Sequence, residues 1–99
     1  MDKTGRSSTL DWTVEDSYWR NNYTNRPYVG SDRNYDRWQP GYRYGWESAQ
    51  RYQGKNFNEV ESNLRSDWDR YEHRGNINST WEQIKDAVRD GWDRVTGKR

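Results

Sequence analysis

The sequence predicts an all-α fold: a small bundle of three amphipathic helices at about 40–53, 57–72 and 81–96, preceded by a short helix and an irregular aromatic-rich arm. Two observations predict it. One apolar pattern with helical spacing is written three times, and nowhere do four or more residues alternate strictly as a half-buried strand requires.

The first element is the segment TVEDSYWRNNY, residues 13–23, where Thr13 is placed to cap a helix of two or three turns with Asp16 three residues on. From Thr24 to Gln39 the chain is rich in Asn, Asp, Arg, Gly and Tyr, which reads as an irregular or extended arm. Residues 1–11 are expected to be disordered, and 12–99 to form one helical domain.

The repeat follows. Phe57, Val60, Leu64, Trp68 and Tyr71 stand at offsets 0, 3, 7, 11 and 14, within an arc of roughly 80° on a helical wheel. Trp81, Ile84, Val88, Trp92 and Val95 share those offsets, as do Tyr35, Trp38, Tyr42, Trp46 and Ala49. Each copy has an Arg after its central apolar residue (Arg43, Arg65, Arg89) and an acid after its second-last (Glu47, Asp69, Asp93). Asn56 with Glu59, and Thr80 with Gln83, have capping-box spacing, while Gly75 and Gly97 suit left-handed helix ends. In the first copy Pro40-Gly41 interrupts the pattern, so that helix is expected to start at Pro40 and end near Gln53, with Tyr35 and Trp38 packing from the loop.

The repeat reads as a core-building device with a charged border. Leu, Ile, Val and Phe together number only ten, but seven Trp and eight Tyr can supply the missing apolar area. Expected anchors are Trp38, Trp46, Phe57, Leu64, Trp68, Trp81, Ile84, Val88 and Trp92. At 99 residues with a net charge of +1, a folded domain of thin stability margin is expected.

The signature YWRxNY, RPYV, PGYRYGWE, RYxGK, NEVExxLRxxWDR and WEQIKDAVRDGWDRV, spread over residues 18–95, resembles a set of short Trp- and Tyr-rich bacterial proteins found among general-stress genes. The last segment is also similar to the CsbD-like stress-response proteins. It lacks the glycine those carry after the Ile, so their fold is not carried over. The resemblance implies a bacterial, stress-associated, non-enzymatic protein and supplies no catalytic residue.

Residue chemistry agrees in direction. The chain has no Cys, and its one histidine, His73, has no second His or Cys to join it in a metal site. Asp67 and Asp69 fall on different helix faces, and the glycines form neither a phosphate loop nor a dinucleotide fingerprint. No catalytic residue, cofactor or small-molecule substrate is therefore expected. The start MDKTGRSSTLDW carries no apolar segment and no run approaches a membrane span, so a cytoplasmic protein with incidental sequons at Asn22 and Asn78 is expected. For partners, self-association or a protein partner reached through Trp-rich helical faces is the leading expectation. The alternative is nucleic acid, contacted by Arg20, Arg26, Arg33, Arg37, Arg43 and Tyr28 within the segment 17–46, where five basic residues face two acidic ones.

Overall fold

The computed structural model describes residues 11–31, 33–71 and 80–97, and among them the chain is all-α. Helix α1 spans Trp12–Asn22 and runs into a 3-10 turn at Tyr23–Asn25; α2 spans Tyr35–Arg51, α3 Phe57–Trp68 and α4 Trp81–Thr96. The expectations for residues 1–10, His73, Gly75 and the sequon at Asn78 lie outside the described residues.

Local chemistry explains most of the helix ends. Asp11, rather than Thr13, caps α1: its carboxylate accepts from the Thr13 amide at 2.9 Å, and the cap lies two residues earlier than expected. The Thr80 capping box closes reciprocally, with Gln83 N–H donating to Thr80 Oγ1 at 3.3 Å and Thr80 N–H donating to Gln83 Oε1 at 3.0 Å. At Asn56 the backbone N–H donates to Glu59 Oε1 at 2.7 Å. Gly97 ends α4 with φ +76°, a left-handed cap.

Helix α2 departs most from expectation. It starts at Tyr35, not Pro40, under an Asn34 cap that accepts from the Asp36 amide at 3.1 Å, and it ends at Arg51. Pro40 lies inside it. An interior proline removes one helical hydrogen bond and crowds the preceding turn, at a cost of about 3 kcal/mol. Continuing the helix places Tyr35 and Trp38 on the buried stripe, and burying two such rings offsets that cost. The expected irregular arm thus shrinks to the segment between the 3-10 turn and Asn34. Helix α3 ends at Trp68 instead of 72; Tyr71 leaves the helix but keeps its ring against Tyr44 (4.7 Å) and Trp68 (5.8 Å).

The three apolar stripes meet in one core. Trp38, Phe57, Leu64, Trp68, Trp81, Ile84, Val88 and Trp92 are all buried in it. Trp46 is a correction: it is half-buried on the flank, its ring 5.5 Å from Trp12. Trp46 and its counterpart Trp92 each follow a glycine at the α2–α4 crossing, Gly45 and Gly91, so the difference lies in what covers the ring: Trp46 has the Trp12 ring, tilted at 49°, on its flank. Trp92 is covered instead by Phe57, edge-on at 5.6 Å.

Contacts give the helix directions. Trp12 meets Trp46 and Trp19 meets Tyr42, so α1 runs antiparallel to α2. Phe57 meets Trp92 and Arg65 reaches Glu82, so α3 runs antiparallel to α4. Helices α2 and α4 run parallel: Gly41 lies against Ile84 and Ala87, and Gly45 against Val88 and Trp92.

Candidate functional site

Two surfaces of chemical interest emerge, a buried polar network behind the arm and the crossing of α2 with α4. The network centres on Asp90, a nearly buried carboxylate on α4. Arg26 donates to it through Nε at 2.7 Å and Nη2 at 3.1 Å, and Tyr28 donates its hydroxyl at 2.6 Å. The Tyr42 hydroxyl lies 2.9 Å from that of Tyr28. Tyr28 has a single hydroxyl hydrogen, which goes to Asp90, so Tyr42 is the donor of this bond. The order Tyr42 to Tyr28 to Asp90 is a directed relay. Burial pushes both phenols well above their ordinary range, the neighbouring hydroxyl and carboxylate adding to it for Tyr28.

A second buried acid, Glu15 of α1, accepts from Arg94 Nε at 2.7 Å, and the Arg94 guanidinium also covers the Tyr18 ring at 3.6 Å. Both ion pairs tie α4 to the N-terminal part of the chain. Such buried pairs hold geometry more than they add net stability, because desolvation opposes their attraction.

The arginines expected to face a nucleic acid are largely engaged within the chain. Arg20 pairs with Asp16 at 3.1 Å and lies over Tyr35; Arg26 holds Asp90; Arg37 lies over Trp38 at 5.0 Å; Arg43 pairs with Glu47 at 3.2 Å. Arg33 is exposed, and its carbonyl accepts from the Tyr23 hydroxyl. Tyr28 sits in the relay. Of the repeated Arg/acid pairs, Arg43–Glu47 and Arg89–Asp93 form within their helices, whereas Arg65 reaches across to Glu82 at 3.4 Å. A cleft of about 440 Å³ between arm and α4 is lined by Arg26, Pro27, Tyr28, Asp86, Arg89, Asp90 and Asp93, which mixes both charge signs.

The α2–α4 crossing is close enough to exclude side chains. A Cβ on Gly45 would stand 2.0 Å from the Val88 carbonyl oxygen, and one on Gly91 would stand 2.4 Å from the Tyr42 carbonyl oxygen. A Cβ on Gly41 would meet that of Ala87 at 2.9 Å. In the repeat, Gly41 aligns with Ala87, Gly45 with Gly91, and Tyr42 with Val88. The two helices therefore contact each other reciprocally, as two identical chains do across a two-fold axis. The middle copy has Asn63 and Asp67 at the aligned positions and stays out of this crossing.

Sequence reasoning missed both features. The crossing leaves a signal, small residues four apart in the first and third copies only. Asp90 aligns with Tyr44, a buried ring, and so stands at a position the repeat marks as interior. Glu15 leaves no comparable signal.

Among the described residues no three His, Cys, Asp or Glu side chains converge to hold a metal ion, and no helix is long and apolar enough to cross a membrane. Comparison with known proteins finds no matching family model, no significantly similar curated protein and no similar solved structure. The fold and sites define a small all-α domain with an aromatic core and a paired-repeat interface.

Proposed function

We propose that this is a non-enzymatic, stress-associated protein of the bacterial cytoplasm that acts by binding and self-assembly through its repeat helices. The observation that supports it is the reciprocity of α2 and α4: Gly45 on the Val88 carbonyl, Gly91 on the Tyr42 carbonyl. A self-complementary parallel face is the kind of surface that pairs two chains as readily as two segments of one. In the assembly, α2 of one copy receives α4 of another, with the same backbone approach. The stress setting comes from the motif string between Tyr18 and Val95.

Trans-complementation tests the pairing. Gly45→Val blocks the α2 face and Gly91→Val blocks the α4 face, so each variant refolded alone loses helical signal. Refolded together, the intact α4 of the first pairs with the intact α2 of the second. The expected result is recovered circular dichroism and a heterodimer by native mass spectrometry. A mixture that behaves as the average of its two components, together with a strictly monomeric wild type at high concentration, rules the assembly out.

A further inference from the structure

We propose that Tyr18, Trp19 and Tyr42 form an inward path for a single oxidising equivalent, and that Tyr42 traps it as a neutral phenoxyl radical by releasing its proton through Tyr28 to Asp90. The species quenched are one-electron oxidants of the oxyl-radical class. This radical trap is a property of the aromatic core that goes beyond self-assembly and does not depend on it.

The ring geometry supplies the electron path. Tyr18 is 37% exposed, and its ring meets Trp19 edge-on at 4.9 Å. Trp19 lies flat on Tyr42, with centroids 4.2 Å apart and an interplanar angle of 3°. Such overlap couples two π-systems strongly. The Arg94 guanidinium, 3.6 Å from the Tyr18 centroid, disfavours a positive hole there and so favours its residence further in.

The proton path completes the trap. Indole and phenol have similar one-electron potentials at neutral pH, but a phenol yields its electron readily only when its proton can leave. Burial keeps Tyr28 and Tyr42 from ionising beforehand, so proton and electron depart together. The oxidant removes one electron from the Trp19 indole, directly or by way of Tyr18. An electron from Tyr42 refills the indole. As it leaves, the Tyr42 O–H proton passes to the Tyr28 oxygen and the Tyr28 proton passes to Asp90 Oδ2, over hydrogen bonds of 2.9 and 2.6 Å. The products are a reduced oxidant, a neutral Tyr42 radical and a protonated Asp90. The Arg26 Nη2 bond to Oδ1 keeps the carboxyl in place while the Nε bond to Oδ2 gives way. Tyr42 is 0% exposed, which shields its radical from quenching in solution. A one-electron reductant of the ascorbate class restores the starting state, the proton returning along the same relay.

The test is laser-flash oxidation of the full chain by photogenerated tris(bipyridyl)ruthenium(III), followed by transient absorption and rapid-freeze electron paramagnetic resonance. In the wild type the indolyl radical decays into a long-lived phenoxyl radical. In Tyr42→Phe, checked for retained helix, the indolyl radical persists and the long-lived phenoxyl signal falls. Tyr28→Phe and Asp90→Asn keep the ring stack but interrupt the relay. Each slows the indolyl-to-phenoxyl step by about tenfold, which corresponds to about 1.4 kcal/mol of barrier, and reduces its solvent deuterium isotope effect. Tyr35→Phe alters none of these, although Tyr35 lies 6.3 Å from Tyr42 and its hydroxyl donates to Asp16. Equal phenoxyl yield and lifetime in wild type and Tyr42→Phe overturn the proposal. An unchanged rate in both relay variants, or loss of the phenoxyl signal in Tyr35→Phe, also does so.

Discussion

Gly45 and Gly91 hold the same position in two copies of one repeat, and each lies against a backbone carbonyl of the helix that carries the other. The missing side chains let α2 and α4 approach until backbone touches backbone. In an ordinary exposed helix Gly→Ala stabilises by about 1 kcal/mol. Here the sign reverses: Gly45→Ala and Gly91→Ala each destabilise by about 3 kcal/mol or more, because the obstructing atoms are backbone oxygens that cannot rotate away. Chemical denaturation measures this. Gly54→Ala, with φ +87° but nothing within 4 Å of the added Cβ, costs only about 1 kcal/mol.

The two aligned tryptophans separate in the same assay. Trp68 is 1% exposed, and Trp68→Ala costs about 3–5 kcal/mol and can unfold the domain. Trp46→Ala removes a half-buried ring that packs at a tilt against Trp12, with a loss of about 1–2 kcal/mol by area. Equal losses would contradict the half-buried position of Trp46.

Arg26→Ala leaves the Asp90 carboxylate buried without its guanidinium partner. A loss of about 2–3 kcal/mol is expected, below the roughly 3–5 usual for fully buried pairs because Arg26 is partly solvated. A variant with unaltered melting temperature but weakened, salt-sensitive DNA binding would instead assign Arg26 to a nucleic-acid contact.

Alkaline pH is the weak side of this fold. Burial raises the phenols of Tyr28, Tyr35, Tyr42, Tyr44 and Tyr71 above their ordinary value of 10.0. Above pH 10 the unfolded chain loses protons that the folded chain retains, so stability is full below 10 and falls as pH rises. Each such tyrosine contributes a slope of up to about 1.4 kcal/mol per pH unit. Helix loss and phenolate absorbance should therefore rise together in one steep transition shortly above pH 10. Phenolate formation spread over several pH units with the helix intact would show these hydroxyls to be solvated.

Periodicity carried the fold because burial acts on spacing. The offsets of Phe57, Val60, Leu64 and Trp68 place four side chains on one face of a helix wherever that face points, and capping at Thr80 and Gly97 is chemistry within a few residues. Pro40 misled for a related reason. Its local cost is real, but two rings buried against Tyr23 and Tyr28 of the preceding segment outweigh it, and no local rule contains that term. The arm misled similarly: Arg26 reads as a free cation until Asp90 is brought alongside from the far end of the chain, whereas the acids that receive Arg20 and Arg43 stand four residues away on the same helix.

The amino-acid order alone thus settled that the chain is helical, where its apolar stripes lie and several of the rings in the core, Trp38, Trp68, Trp81 and Trp92 but not Trp19 or Tyr44, since these depend on neighbours within a few turns. Which stripes meet was a matter of three dimensions. Backbone proximity between Gly45 and Val88, the burial of Glu15 and Asp90, and the stacking of Trp19 on Tyr42 join residues remote in sequence. Such pairings depend on the shapes of whole helices, and no spacing along one segment encodes them.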